Sequence, residues 1–170
     1  MKRVTIYSDG GADPNPGPGG WAAVLIYGPH RREISAAVAA TTNNRMELTA
    51  AIEALRALKG PCEVDFHTDS EYVQKGMRDW LPGWKARGWR RGKRPVKNLD
   101  LWKALDAEAS RHRITWNWVR GHSNQPENER CDELAARAIA ALRAETSAEA
   151  LDAALTEFLG HGAAGGEQLL

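Results

Sequence analysis

Four carboxylates, spread over most of the chain, stand where a sheet edge or an apolar helix face would bring them together. Asp9 follows the strand pattern RVTIYS, and Asp69 follows the strand pattern EVDFHT. Glu47 and Asp132 each lie on a helical face that otherwise carries Ala, Cys, Ile and Leu. Because a carboxylate on an apolar face is unfavourable without a partner, these four residues are candidates for one shared site.

The chemistry of such a site follows from charge. Carboxylates held close together repel one another and resist ionisation unless a cation neutralises them. Oxygen donors without a Cys or His cluster favour Mg²⁺ or Mn²⁺ over zinc. One or two such ions, about 4 Å apart when paired, can activate a water and stabilise the leaving oxygen of a phosphodiester. The alternative for Asp9 or Asp69 taken singly is that the aspartate caps the helix that follows its strand.

The segment YSDGGADPNPGPGG, residues 7–20, contains Asp9 and is rich in glycine and proline. This composition predicts a loop longer than an ordinary turn between two strands, with a backbone that can approach a partner closely. We expect Gly10, Gly11 and Asn15 to place backbone N–H groups and an amide beside the carboxylates. Such groups suit contacts to the sugars and phosphates of a nucleic acid.

A basic segment also points to a polyanionic partner. Residues 75–97 contain nine Lys or Arg and a single Asp, whereas residues 144–170 contain five Asp or Glu and no Lys or Arg. Basic side chains bind phosphates in a salt-dependent way, and exposed tryptophans pack on sugars or bases. The residues that we predict to contact substrate here are Trp80, Trp84, Lys85, Arg87 and Trp89. We also expect the tryptophans to form the small core of a helical protrusion, with Trp80 and Trp84 partly structural.

The elements that must position these residues can be read from hydrophobic periodicity. Strand patterns at 3–8, 21–27 and 33–39 predict an antiparallel meander, which a helix ending at Gly60 follows. A strand at 63–68, helices interrupted at Pro82-Gly83, another strand and a helix opened by Pro126 complete the order. This order predicts an α/β domain with a mixed five-stranded sheet, three strands antiparallel and two parallel, flanked by helices.

Bulk properties set the class of protein. The chain has 170 residues with 42% hydrophobic and 26% charged residues, which suits a single soluble domain. No apolar run approaches the roughly 20 residues of a membrane span, and the first residues lack the apolar middle of a signal peptide. We interpret Cys62 and Cys131 as reduced, buried residues of a cytoplasmic monomer. A disulfide between them is the alternative.

Several motifs resemble one known family. The stretches YSDGG, TTNNRMEL, HTDSEYV, RPVKNLDLW, WVRGHS and NERCDELA, in this order, resemble ribonuclease H of the bacterial type, type 1, over roughly residues 1–143. The resemblance implies the mixed five-stranded sheet and endonucleolytic cleavage of the RNA strand of RNA–DNA hybrids, giving 5′-phosphate and 3′-hydroxyl ends. It also implies that Asp9, Glu47, Asp69 and Asp132 are catalytic carboxylates that bind the metal.

The same resemblance assigns roles around the carboxylates. His122, in a loop, matches a histidine that assists proton transfer or product release; a loop histidine without a role is the alternative. Asn15, Asn43 and Asn44 match asparagines that contact the two strands of the hybrid, and Thr42 matches a pocket for a DNA phosphate. Helix capping is the alternative for Thr42, Asn43 and Asn44. The segment at about residues 80–97, which we call the basic handle, matches the protrusion that grips the DNA strand.

Two features depart from the family pattern. Glu71 stands where many relatives have glutamine, which puts a direct substrate contact there in doubt. The acidic tail, residues 144–170, lies outside the pattern, and we expect it to be partly helical or disordered. Two other interpretations remain at this point: another nuclease of the same fold, such as a resolvase or transposase core, and a hybrid-binding module without catalysis.

Overall fold

The computed structural model describes residues 1–120 and 124–165. The strands of the described chain are β1 (Lys2–Ala12), β2 (Gly17–Tyr27), β3 (His30–Thr41), β4 (Cys62–Thr68), β5 (Arg90–Arg91), β6 (Arg94–Pro95) and β7 (Arg113–Trp118). The helices are α1 (Asn43–Arg56), α2 (Glu71–Lys75), α3 (Leu81–Ala86), α4 (Leu99–Ala109), α5 (Pro126–Glu145) and α6 (Ala148–Gly165), with a π-helical segment at Gly76–Trp80. No described helix has the length and apolar character needed to cross a membrane.

The predicted mixed sheet is confirmed. Its order is β3-β2-β1-β4-β7, with β1, β2 and β3 antiparallel and β4 parallel to both β1 and β7. The two short strands β5 and β6 form a separate antiparallel ribbon in the basic handle. Since β1 and β4 run parallel, residues that follow in register leave the sheet on the same side.

Alternate residues of β2 face different helices, so α1 and α5 cover opposite faces of the sheet. Ala23 and Leu25 belong to the core that α1 forms with Ile6 and Phe66. All four of these residues are buried, and only Leu25 keeps a small exposed surface. Ala22 and Val24 pack instead with Cys131 and Ala135 of α5. The two helices that carry Glu47 and Asp132 are therefore fixed by separate apolar clusters.

The prediction of a long glycine-rich loop is wrong. β1 continues to Ala12 and β2 begins at Gly17, so the connection spans only residues 13–16, and Asp9 lies within a strand, paired with Ala22. The glycines serve packing, because a Cβ on Gly20 would lie 2.4 Å from the carbonyl oxygen of Ala135 in α5. Glycine here lets a helix approach a strand closely.

The predicted interruption at Pro82-Gly83 is also wrong. Pro82 lies in the first turn of α3, where its missing N–H costs nothing, and the irregularity is the π-helical segment just before it. Gly76 begins this segment, and a Cβ on it would lie only 2.0 Å from the ring of Trp102. The handle is therefore anchored where Gly76, just after α2, packs against the buried Trp102 ring of α4.

The tail forms more structure than the sequence predicts. Its helix, α6, begins after Ser147, whose hydroxyl accepts from the N–H of Ala150 at 3.1 Å, and reaches Gly165. It packs on β3 and β2, with Leu151, Leu155 and Phe158 half-buried. The helix includes residues 161–165, and residues 166–170 lie outside the described residues. α5 extends to Glu145, so the predicted boundary at 143 falls in its last turn.

Both cysteines are free and buried, as predicted. Burial, together with the nearby Asp9 carboxylate, raises the pKa of the Cys131 thiol to about 12. A thiol with this pKa has almost no thiolate at neutral pH and acts as a packing residue.

Candidate active site

The sheet brings the first two carboxylates together. Ser8 pairs with Thr68 in the parallel β1–β4 ladder, so Asp9 and Asp69 follow at the same edge. Both line a cavity of about 260 Å³, and Asp132 lines it from α5. Three of the four predicted carboxylates therefore line the same cavity.

The pKa of Asp9 is raised more than that of Glu47. Burial raises the pKa of its carboxyl to about 8, and the charges of Asp69 and Asp132 add to the rise. A hydrogen bond from the Gly10 N–H to Asp9 Oδ1, at 2.9 Å, opposes the rise without cancelling it. Hydrogen bonding with the Asp132 side chain contributes further to the raised pKa of Asp9. In the absence of a cation, this site therefore retains protons near neutral pH.

Glu47 approaches from the opposite face of the sheet. It lies in the second turn of α1, so compensation of the helix dipole does not explain it. Burial raises the pKa of its carboxyl to about 7; the hydroxyl of Ser70 lowers it through a hydrogen bond, and Asp69 raises it. Asp69 is thus within electrostatic reach of both Asp9 and Glu47, and it connects the two sides of the site.

The start of α5, which carries Asp132, is tied to β3 by ion pairs. Arg130 Nε lies 2.7 Å from Glu33 Oε2, and Arg31 Nη2 lies 2.7 Å from Glu127 Oε1. The two arginines lower the pKa of Glu33 to about 2. These bonds restrict how α5 can shift along the sheet, and so they hold Asp132 near Asp9.

The donor chemistry fits a hard divalent cation. Within residues 1–120 and 124–165, no group of three or more His, Cys, Asp or Glu side chains is already arranged to hold one ion. Asp9, Asp69 and Asp132 nevertheless line one cavity. Asp9 and Glu47 have raised pKa values that a bound cation would reverse. Carboxylate oxygens without thiol or imidazole partners suit Mg²⁺ or Mn²⁺.

The predicted site histidine, His122, lies outside the described residues. The described chain leaves the sheet at Trp118 and resumes before α5, where Gln125 Oε1 accepts from the Asn128 N–H at 2.7 Å. A role for His122 therefore stays a prediction.

Of the residues predicted to lie beside the carboxylates, Gly10 and Gly11 line the acidic cavity, whereas Asn15 lines a different one. A Cβ on Gly10 would also meet the Met46 backbone at 2.5 Å. Asn43 joins α1 to the first connection, since its Oδ1 accepts from the Ala12 N–H at 2.7 Å and its own N–H donates to Asn15 Oδ1 at 3.0 Å. The side-chain amide oxygens of Asn15 and Asn43 therefore accept hydrogen bonds within the protein.

A second polar cavity, of about 300 Å³, lies next to this connection. Its lining consists of Asn15, Pro16, Thr42, Asn43, Asn44, Lys97 and Asn98. Thr42 also caps α1, with its hydroxyl accepting from the Arg45 N–H at 3.3 Å, so the capping alternative is correct for this residue. Amide, hydroxyl and ammonium groups around an open cavity are suited to bind a phosphate.

In the basic handle, the aromatic rings pack against one another and against the core, and some of them also remain open to solvent. The Trp84 ring lies 5.1 Å from the buried Trp102 ring and 5.7 Å from the Trp80 ring, centroid to centroid. Trp80 remains 38% exposed. A cavity of about 370 Å³ is lined by Tyr72, Trp80, Trp84, Arg91, Val96 and Lys97. Trp84 therefore has the structural role that the sequence predicts, whereas Trp80 also presents an open aromatic face next to cationic groups.

Other handle residues are partly engaged within the protein. Lys85 pairs with Asp106 of α4 at 3.1 Å, and the Arg87 guanidinium lies beside Gly83. Trp89 has a positive φ of 63° and packs against the core, with Lys103 5.9 Å from its ring centre. Glu71, the departure from the family pattern, pairs with Lys75 at 3.4 Å.

The sequence reasoning missed several residues of the acidic cavity. Asp13, Asn128 and Glu129 also line it. Glu129 precedes Asp132 by three residues on one helix face, a signal that could have identified it. Asp13 offered no such signal, because its position depends on the tight connection at residues 13–16. Ser70 and Trp118, which contact Glu47 and Asp69, were likewise not predicted.

The fold and the site together define a class: a ribonuclease H-like α/β domain with an acidic cavity at the edge of its sheet. The RNase H family model matches residues 1–140. Ribonuclease H of Cupriavidus metallidurans is 60% identical over 143 residues, which cover 84% of this chain and 99% of that protein. The chain therefore belongs to the ribonuclease H family, as its motifs indicate.

Solved structures agree with this assignment. LC9-RNase H1, a type 1 RNase H with the type 2 active-site motif, matches with a TM-score of 0.76 and 34% identity, covering 83% of this chain and 74% of that one. LC11-RNase H1, solved in complex with an RNA/DNA hybrid, matches with a TM-score of 0.63 and 27% identity, covering 82% of this chain and 98% of that one.

Proposed function

We propose that this protein is an endonuclease that hydrolyses the RNA strand of RNA–DNA hybrids and leaves 5′-phosphate and 3′-hydroxyl ends. The observation that carries the proposal is the convergence of Asp9, Asp69 and Asp132 on one cavity at the edge of a ribonuclease H-like sheet, with Glu47 in electrostatic contact with Asp69. Membership of the ribonuclease H family supports the choice of substrate.

We further propose that the reaction depends on Mg²⁺, with Mn²⁺ as a substitute, held by Asp9, Glu47, Asp69 and Asp132. When bound, one or two such ions supply an activated water and charge stabilisation at the leaving oxygen. The chain's own contribution is orientation. The Gly10 N–H fixes the Asp9 carboxylate, the Ser70 hydroxyl fixes Glu47, and the ion pairs of α5 with β3 fix Asp132.

The substrate contacts that we propose follow from duplex shape. The major groove of an RNA-containing duplex is too narrow for side chains to read, so a protein approaches the minor groove and senses 2′-hydroxyls. Gly11 lines the acidic cavity and has no side chain, so the duplex can approach the backbone closely there. The cavity at Thr42, Asn43 and Asn44 suits a phosphate of the DNA strand.

The basic handle supplies the second grip on the duplex in this proposal. Trp80 presents an exposed ring, Lys85 and Arg87 add positive charge, and Trp84 and Trp89 support the aromatic surface. Phosphate contacts of this kind strengthen binding without reading sequence, and they weaken as salt rises.

We assign His122 the transfer of a proton during turnover or product release. This proposal rests on the motif WVRGHS and on an ordinary imidazole pKa near neutrality. Replacement of His122 by Ala should lower kcat by about 100-fold, within the range for the loss of a general acid or base.

We also propose that the protein is a cytoplasmic monomer. Its free buried cysteines fit a reducing compartment, and light scattering of the purified protein tests whether it is a monomer.

A strand-specific cleavage assay tests the proposed function. An RNA–DNA hybrid labelled on either strand is incubated with the protein and Mg²⁺, beside double-stranded DNA, double-stranded RNA and a chelator control. We expect cuts in the RNA strand of the hybrid alone, and none with chelator. Equal cutting of double-stranded DNA would indicate another nuclease of this fold, and binding without cutting would indicate a hybrid-binding module.

A further inference from the structure

The turn that carries Asp69 has an exposed aromatic neighbour. Trp118 is the last residue of β7 and pairs with Thr68, the last residue of β4. Its indole N–H donates to the backbone carbonyl oxygen of Asp69 at 3.0 Å. The side chain nevertheless remains in part open to solvent, with 41% of the residue's surface exposed. The hydrogen bond gives this exposed tryptophan a specific contact that apolar packing does not explain.

Other hydrogen bonds also hold this turn. The Ser70 N–H donates to Thr68 Oγ1 at 3.0 Å, and the Val73 N–H donates to Ser70 Oγ at 3.1 Å, which caps α2. The Val119 N–H donates to the carbonyl oxygen of Thr68 at 2.8 Å, so the end of β7 also holds the residue before Asp69. Trp118 and its neighbour therefore hold the turn from the end of β7, and the α2 cap holds it from the start of α2.

We propose that Trp118 is a positioning residue for the reaction: its indole N–H sets the backbone of Asp69 and so aims that carboxylate into the acidic cavity. This inference rests on the proposed function. Catalytic geometry is demanding, since a displacement of about 1 Å can cost roughly 100-fold in rate. Loss of this one hydrogen bond should cause a smaller displacement. A fall in kcat of about 10-fold is therefore expected, equivalent to about 1.4 kcal/mol in the activation barrier.

The variant Trp118→Phe tests this role, because it keeps an aromatic ring and removes the N–H. We expect kcat on the hybrid to fall about 10-fold while KM and Tm stay close to wild type. Calorimetric titration with Mg²⁺ alone should show weaker binding, by about 10-fold, since outer partners of metal ligands contribute 10- to 100-fold. A second substitution, benzothienylalanine at position 118, replaces the N–H with sulfur at nearly constant shape and should reproduce both effects.

Trp116→Phe is the matched control. It alters the same strand, but the Trp116 ring is partly buried and packs against Phe66 of the core, with 4.7 Å between ring centres. This control should lower Tm and leave kcat and Mg²⁺ affinity unchanged. Wild-type kcat and Mg²⁺ affinity in both Trp118 variants would overturn the inference, and so would a loss of kcat that merely follows a loss of Tm. If the wild-type protein itself fails to cut RNA, the proposed function fails, and the calorimetric comparison alone decides the role of Trp118.

Discussion

At the scale of single residues, the site is dominated by negative charges that the fold forces together. Asp69 lies at the centre, because its charge raises the pKa of both Asp9 and Glu47. Proximity of this kind opposes folding unless protons or cations neutralise it. The same proximity is what a site for divalent ions requires, so the cost to stability and the proposed catalytic function have one origin.

Asp69→Asn should separate binding from catalysis. Asparagine keeps the shape of the side chain and removes its charge, so the proposed cation site loses a ligand while the basic handle is untouched. We expect kcat to fall by more than about 100-fold, since even an outer partner of a metal ligand contributes 10- to 100-fold. The Kd for the hybrid, measured by fluorescence anisotropy, should change less than about threefold. Full activity in this variant would contradict a role for Asp69 as a metal ligand.

Asp9→Asn should stabilise the protein when no divalent ion is present. The folded pKa of Asp9, about 8, lies above its ordinary value of 3.8, so the folded state holds this proton more tightly than the unfolded state. Stability from Asp9 is therefore fully present below about pH 4 and is lost as pH rises towards 8. At pH 8 with chelator, the variant should gain at least about 1 kcal/mol, or roughly 2–4 °C in Tm.

The control for this prediction is Asp152→Asn, on the exposed side of α6. It should leave the dependence of Tm on pH as it is in the wild type. Addition of Mg²⁺ should remove the advantage of Asp9→Asn, because the ion neutralises the wild-type carboxylate. An Asp9→Asn variant that unfolds at a lower temperature than wild type at pH 8 with chelator would contradict the raised pKa.

At the scale of elements, the sequence predicts the features that hydrophobic periodicity encodes. It does not predict the features that depend on packing between elements far apart in the chain. Glu47 and Asp132 could be placed because a lone carboxylate interrupts an apolar helical face. The sequence predicts a loop at the glycines of residues 17–20, since glycine usually marks turns. They lie instead in β2, and at Gly20 the backbone of Ala135 in α5 approaches the strand. That approach involves residues more than 100 positions apart, which local patterns do not reveal.

Gly76 tests the anchoring of the handle. In Gly76→Ala, the new methyl group would meet the Trp102 ring at 2.0 Å, and Trp102 is completely buried. Overpacking of this kind costs about 1–3 kcal/mol, so Tm should fall by roughly 2–12 °C. Differential scanning calorimetry measures the change, and KM for the hybrid should rise because the handle shifts.

Gly60→Ala is the matched control for Gly76→Ala. Gly60 has no atom within 4 Å of an added Cβ, so this substitution changes the same residue type without a clash. Its Tm should stay within about 2 °C of wild type, as for an ordinary surface substitution. Equal Tm values for the two alanine variants would show that the junction of the π-helical segment with α4 tolerates added volume.

At the scale of the whole molecule, the charge is divided between the domain and its tail. Residues 146–170 contain four acidic residues and no Lys or Arg, so a chain that ends at Glu145 has 23 basic and 18 acidic residues, or +5 instead of +1. The RNase H family model matches residues 1–140, so α6 lies beyond the matched part of the chain. The acidic residues of the tail are therefore carried outside the matched part, most of them on a helix that packs on β3 and β2.

Removal of residues 146–170 should change stability and binding in opposite directions. Loss of α6 exposes the part of β3 that Leu151, Leu155 and Phe158 cover, and these side chains are only half-buried. We expect a loss of about 2 kcal/mol, taken as partial burial of three apolar side chains, or roughly 4–8 °C in Tm. KM for the hybrid should fall at low salt, because a more positive protein attracts the duplex more strongly.

A full-length variant with Glu149, Asp152, Glu157 and Glu167 changed to their amides separates the two effects. It has the same formal charge of +5 as the truncated chain, from 23 basic and 18 acidic residues, but it keeps the apolar side of α6. Its KM should match that of the truncated chain at low salt, while its Tm should stay near wild type. Both differences in KM should shrink as salt rises, since charges farther apart than about 10 Å are screened at 0.1 M. If only the truncated chain binds the hybrid more tightly, then α6 limits access by its bulk, and its charge has no part in binding.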